Sequence, residues 1–263
     1  TITNPEEFLC LCEDNATLHV GYVDYPKADN PHFGLESIKD MDGTVYLTME
    51  AIQSGKISLT DIVVCSENAS KKGGSQIWLK EGEVMTVHEL LKATVIASAN
   101  DACTALGEYI AGDETSFVAL MNKRAKELGM TNTCFENCSG LDDTAENHYS
   151  TARDIAIMSR ELMKHEKIKE YTTIWMDTLR GGEFQLANTN KLIATYKYAT
   201  GLKTGFTTEA GHCLSASAEK DKIPSNYVTL ETEEDIKFMG LLLEKLEDDD
   251  DVMNVYHNWE NAD

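Results

Sequence analysis

Between residues 87 and 164 the apolar positions recur every three to four residues. Val87, Leu90, Leu91, Thr94 and Val95 share one face of a predicted helix over 87–97. Ser98 to Asn100 ends it, and a second helix over 101–111 stops at Gly112. Phe117, Leu120 and Met121 make 114–128 amphipathic up to Gly129, and a helix over 151–164 opens on Thr151 with Asp154 at capping-box spacing. Earlier, 45–54 reads as a helix closed by Gly55. It follows SIKDMDGTV (37–45), where Asp42-Gly43 signals a turn. Residues 1–16 read as a short strand, a turn at Asn4-Pro5 and a helix that starts at Pro5. Leu18, Val20 and Tyr22 alternate in a strand over 17–24, and 57–65 is extended. Polar loops span 25–34 and 66–80, and 177–192 supplies a hairpin and loop. The Gly-punctuated stretch from Gly201 to Gly205, followed by the small-residue run Cys213 to Ala218, reads as one side of a hairpin. The pattern is an α+β one, a helical block set before a late hairpin.

The pattern changes after residue 222. Tyr227 to Leu230 reads as a strand. Thr232 and Asp235 have capping-box spacing before an apolar stripe of Ile236, Met239, Leu242, Leu243 and Leu246. Val252, Val255 and Tyr256 make a last short strand.

Composition narrows the partners. The 263 residues are 42% hydrophobic and 26% charged, as in a soluble globular protein, and the net charge is −22. That balance opposes nucleic-acid binding, which needs clustered Lys and Arg, and opposes an anionic membrane surface. Part of the excess is local, in Glu244 to Asp251, where consecutive carboxylates fan out into solvent instead of converging on a cation. The seven cysteines include no Cys-x-x-Cys, and none pairs with His at zinc spacing, so neither a metal nor a cofactor is expected. Most of the thiols read as buried. Cys10 and Cys12 are not expected to pair with each other, because residues adjacent but one in a helix or strand diverge. No signal peptide and no run of about 18 apolar residues is visible, so any membrane link is expected only through a segment absent from this chain.

Candidate chemistry centres on two triplets. Lys203-Thr204-Gly205 on a strand suits a site that grips a carboxylate: the cation attracts it, the hydroxyl donates to it, and Gly205 lets a substrate backbone approach. Upstream lies Ser98-Ala99-Asn100. With MEAIQSGKISLTD, IWLKEGEVMTVHELLKATVIASANDA, ELGMTNTCFENCSGLD, HYSTARDIA and IWMDTLRGGEFQLANTNKLI, these triplets make residues 45–222 closely resemble the serine-type D-alanyl-D-alanine carboxypeptidases, the low-molecular-weight penicillin-binding proteins. The resemblance implies a β-lactamase/DD-peptidase-like helical block beside an antiparallel sheet. It also implies an extracytoplasmic location, and a peptidoglycan stem peptide or β-lactam as partner. In that family a serine attacks the carbonyl of a terminal D-alanine and a lysine one helical turn on takes its proton. By resemblance, Ser98 relays protons, Asn100 contacts the substrate amide, and Lys203 and Thr204 hold the terminal carboxylate.

The family's nucleophile motif, Ser-x-x-Lys, is the point of departure. Counting back from Tyr46 puts Ile38 in the serine slot and Met41 in the lysine slot. Ser37 is the candidate nucleophile by position, but Lys39 follows it by two residues, and i and i+2 do not share a helix face. A formal match at Ser217 and Lys220 falls on a strand, where alternation points the two to opposite faces. His148 reads as a structural histidine, since a lysine base needs no triad.

The termini bear a second resemblance. LEKLEDDDDVMNVYHNWE and, more weakly, TITNPEEF are similar to the two ends of the YebC family of gene-expression regulators. The expected organisation is a carboxypeptidase-like domain over 17–222, with 1–16 plus 223–263 as a small α+β segment. The alternative is that the tail completes the carboxypeptidase sheet. Three functional readings stand at this point: a carboxypeptidase, impaired for want of an intact Ser-x-x-Lys; a catalytically silent relative that binds D-Ala-D-Ala ends or β-lactams; and a YebC-like regulator.

Overall fold

The computed structural model describes residues 9–13, 16–22, 42–141, 145–207, 211–219 and 236–237. Residues 1–219 form one compact unit and 220–263 a second. In the second unit only the helical pair Ile236–Lys237 is described, so the strands and most of the stripe expected there lie outside the described residues.

In the first unit, four antiparallel strands make a sheet in the order β1 (Leu9–Glu13), β2 (Ala16–Tyr22), β8 (Gly211–Glu219), β7 (Ala199–Thr207). β1 corrects the helix expected from Pro5 onward. Its backbone pairs with β2 from Leu9↔Val20 to Glu13↔Ala16, so pairing to a neighbouring strand overrides a local helix signal. β7 and β8 form the expected hairpin, with Lys203 opposite Ser215. Two small two-stranded sheets, β3 (Ile62–Val64) with β4 (Val84–Thr86) and β5 (Met176–Leu179) with β6 (Phe184–Ala187), flank the helices. Of the stretch read as extended over 57–65, only β3 is a strand.

The helical block is built from α1 (Asp42–Gln53), the short α2 (Glu67–Ser70), α3 (Val87–Ala97), α4 (Asn100–Ala111), α5 (Glu114–Glu127) and α6 (Ala152–Met163). The single turns α7 (Lys169–Thr172) and α8 (Leu192–Thr195) follow. Leu90, Leu91 and Ile96 of α3, Leu106 of α4, and Phe117 and Met121 of α5 are fully buried. Each contributes about 1.5–3 kcal/mol by leaving water. Thr86 starts α3 with a complete capping box: its hydroxyl accepts from Glu89 N, and the Glu89 carboxylate accepts from Thr86 N. Thr151 caps α6 by accepting from Asp154 N, as its spacing predicts. α6 packs on the sheet, where Ser159 Oγ lies 2.8 Å from Ser215 Oγ.

A second correction falls at the start of α1. Asp42-Gly43, read as a turn, forms the first two residues of the helix. A Cβ on Gly43 would sit 2.9 Å from Met121 Cε, so the glycine lets α1 approach α5 closely instead of breaking the chain. The side chains of Cys10 and Cys12 lie outside the described residues. Cys65, Cys103, Cys134, Cys138 and Cys213 are all free thiols.

Candidate active site

Three elements converge on Lys203. The first is β7, which carries Lys203 and buries it to 5% exposure. The second is the junction of α3 and α4. There Ser98 closes α3 in the left-handed region (φ 58, ψ 38), which turns its hydroxyl toward the strand. Lys203 Nζ donates to Ser98 Oγ at 2.8 Å and to its neighbour's carbonyl, Thr204 O, at 2.7 Å. Two groups 105 residues apart in sequence thus share one buried hydrogen bond.

The third element is the N-terminus of α1, which delivers Asp42. Burial pushes its carboxyl up to about 6 against the opposing pull of the Lys203 charge. Sequence reasoning missed Asp42 because Asp-Gly is also the commonest turn signal. Its presence in a helix that packs on α5 was the feature that could have drawn attention to it.

Asn100 opens α4 under the loop at 73–75. Its Nδ2 donates to Gly73 O at 2.7 Å, its backbone N donates to Ser75 O at 2.8 Å, and its Oδ1 is a buried acceptor with no partner among the described residues. An unpartnered acceptor of this kind suits an amide N–H. Next along α4, the Asp101 carboxylate accepts from Ile77 N and from Leu79 N at 2.9 Å, which pins the far side of the same loop. Thr204 is half-buried, and its hydroxyl donates to Thr189 Oγ1 at 2.6 Å. Thr189 is a lip residue that sequence reading passed over as part of a loop. Gly205 follows, opposite Cys213. At Gly201 the strand passes so close to α7 that a Cβ would lie 2.9 Å from Thr172 Cβ.

The structure therefore brings Ser98 and Lys203 together, with Asn100 two residues on from Ser98 and Thr204 beside Lys203. Ser37 and Lys39 lie outside the described residues. Ser217 Oγ is held by Thr200 Oγ1 at 2.9 Å, and Lys220 lies outside the described residues. His148 is buried, accepts from Glu136 N through Nδ1 at 3.1 Å, and meets Phe135 edge-on at 5.8 Å. Among the described residues no group of three or more His, Cys, Asp or Glu side chains could hold a metal ion, and no helix is long and apolar enough to cross a membrane.

A family profile described as D-alanyl-D-alanine carboxypeptidase, peptidase S11, matches residues 21–234. The chain belongs to the D-alanyl-D-alanine carboxypeptidase family. It is 49% identical over 203 residues to the D-alanyl-D-alanine carboxypeptidase DacF of Bacillus subtilis (strain 168), covering 76% of this chain and 51% of that protein. To DacC of Escherichia coli (strain K12) it is 38% identical over 182 residues, covering 66% and 45%. The chain thus spans about half the length of the curated relatives it matches. Among solved structures, penicillin binding protein 5 from Haemophilus influenzae matches with a TM-score of 0.68 at 28% identity, covering 84% of this chain and 64% of that one. Penicillin binding protein 6B from Escherichia coli matches with a TM-score of 0.64 at 35% identity, covering 69% and 59%. The α+β fold expected from sequence, a helical block beside an antiparallel sheet, is the fold these proteins share with this chain.

Proposed function

We propose that this chain recognises D-Ala-D-Ala peptide ends and β-lactams of matching shape, and that its hydrolytic step is severely impaired. One observation carries the reading. Lys203 donates both to Ser98 Oγ and to Thr204 O, and the Asp42 carboxyl lies within its field. An ammonium held by two acceptors beside a carboxyl is a cation that holds charge, not a base that removes a proton. In this reading Lys203 serves Ser98 as a hydrogen-bond donor and not as a general base. The α1 sequence, DGTVYLTMEAIQ, supplies neither a serine nor a lysine to take over.

The assembled parts support binding. A substrate carboxylate fits the Lys203 charge and the Thr204 hydroxyl, Gly205 leaves room for a backbone, and Asn100 Oδ1 accepts an amide N–H. A relative, penicillin-binding protein D2 from Listeria monocytogenes, has been solved in an ampicillin-bound form; it is 31% identical, with a TM-score of 0.61. We carry that ligand class to this chain as part of the proposal, with peptidoglycan stem peptides as the physiological partner, no nucleic acid, and an extracytoplasmic location. The domain limits are proposed as 17–222, with 1–16 and 223–263 as a YebC-like α+β segment; β1 ties part of the first piece to the carboxypeptidase sheet.

The test is intact-mass spectrometry after incubation with benzylpenicillin, followed by peptide mapping. A folded chain with no adduct, yet protected thermally by the ligand, is the expected result. A stoichiometric adduct on Ser37 restores an active enzyme, and an adduct on Ser98 reassigns the nucleophile.

A further inference from the structure

Behind the site, two thiols meet that the proposed chemistry does not use. Cys103 lies on α4, one turn after Asn100, and Cys138 lies in the irregular segment 133–141; both are fully buried. Cys103 Sγ donates to Cys138 O at 3.0 Å, which sets the first thiol against the residue that carries the second. Around them, Thr44 Oγ1 of α1 donates to the same carbonyl at 2.7 Å. Cys138 Sγ lies 3.4 Å from Thr104 Oγ1 and 3.3 Å from Glu114 Oε1. The segment around Cys138 is held mainly by side chains: Asn137 Oδ1 accepts from Ser139 N at 3.1 Å and from Gly140 N at 2.7 Å, and Asn122 brackets Phe135.

We propose that Cys103 and Cys138 are a thiol–disulfide site, closed into a disulfide when the chain folds in the presence of a disulfide oxidant such as glutathione disulfide. The exchange balances in two steps. One thiolate of the pair attacks a sulfur of glutathione disulfide, forms a mixed disulfide and expels one glutathione thiolate, which takes up a proton. The second thiolate attacks the protein sulfur of that mixed disulfide and expels the other glutathione. The two cysteines are oxidised by two electrons, and one glutathione disulfide is reduced to two thiols.

The timing follows from burial. The Cys103 side chain, desolvation and the Glu114 carboxylate all push the Cys138 thiol well above its ordinary value, so the folded, reduced protein holds almost no thiolate there. Reaction therefore belongs to the folding chain, before the pair is sealed from solvent. Once formed, the bond would staple a segment held by side-chain contacts to the helix that carries Asn100. It would also close a long loop, for which the entropic gain is large. This inference stands apart from the reading of the site as a D-Ala-D-Ala binder, since its readout is a bond and not a ligand.

The experiment starts from the full chain, unfolded and reduced, and refolds it in a buffer of reduced and oxidised glutathione. Non-reducing digestion and mass spectrometry are expected to yield a peptide pair joined through Cys103 and Cys138. Thiol titration is then expected to find two thiols fewer than the seven in the sequence. The oxidised chain should melt roughly 5–15 °C above the chain refolded in excess reductant. In the Cys103→Ser/Cys138→Ser chain that redox-dependent shift should vanish. Finding all seven thiols after refolding overturns the proposal, as does a cross-link mapped to any other pair, or a shift that persists in the doubly substituted chain. The peptide map uses the unsubstituted protein and decides the matter even if the variant does not fold.

Discussion

The elements that meet at Lys203 differ in what they bring to it. On one side, the α3–α4 junction and β7 meet in a buried hydrogen bond of 2.8 Å between Ser98 and Lys203. Local features hold it there: a left-handed cap on α3, a loop pinned by Asp101, and a strand in register with β8. On the other side, the N-terminus of α1 is equally well packed, through Gly43 against Met121 and Thr44 against the Cys138 carbonyl, and it brings the buried Asp42 carboxyl toward Lys203, while the slots counted for the serine and lysine, Ile38 and Met41, lie outside the described residues. The comparison teaches that packing and chemistry separate cleanly. The scaffold needs only small residues and apolar contacts at this position, whereas the reaction needs two particular groups one helical turn apart.

The largest effect should come from placing the family's nucleophile motif ahead of α1. Ile38→Ser with Met41→Lys places Ser-x-x-Lys in the family's slots and is expected to raise benzylpenicillin acylation at least about a hundredfold over the unsubstituted chain. Stopped-flow acylation or intact mass reads the outcome. An unchanged rate would show that more than the two side chains is missing.

On the well-built side, Lys203→Met should both abolish ligand-induced thermal protection and destabilise the fold. Removing the cation takes away the charge that offsets burial of the Asp42 carboxylate, so the fold should lose stability at pH 7. Urea denaturation checks it, and the loss should shrink at pH 5, where Asp42 takes up a proton.

Asp42 itself sets a pH dependence. Its folded value, about 6, lies above the ordinary 3.8, so the folded state holds the proton more tightly than the unfolded chain. The stability from this group is complete below about pH 4 and declines as pH rises to about 6. A shift of about two units amounts to on the order of 3 kcal/mol. Asp42→Asn should flatten that decline. A curve of stability against pH that keeps the same slope in the variant would assign the titration elsewhere.

The smallest change is a surface control. Lys71→Ala removes an exposed i,i+4 pair with Glu67 and should alter stability by less than about 0.5 kcal/mol. A larger loss would mean that the α2 region couples to the site through Asn68, Lys72 and Glu114.

Helical periodicity determined α3, α5 and α6 nearly to the residue, because their apolar faces and caps are written locally, as at Thr151 and Gly129. The two triplets and their order singled out Ser98 and Lys203, which the structure joins through one hydrogen bond, whereas the Ser-x-x-Lys reading falls on residues 37–41, outside the described residues. Three features were decided only in three dimensions. Leu9–Glu13 is a strand because β2 offers it a hydrogen-bonding edge, a partner that no local propensity contains. Asp42-Gly43 opens a helix and not a turn, with Gly43 set closely against Met121 of α5. The depth of Lys203 and the meeting of Cys103 with Cys138 depend on segments 105 and 35 residues apart coming within hydrogen-bonding distance. Such contacts are set by how the helical block and sheet pack, and a one-dimensional pattern records which residues are buried but not which of them touch.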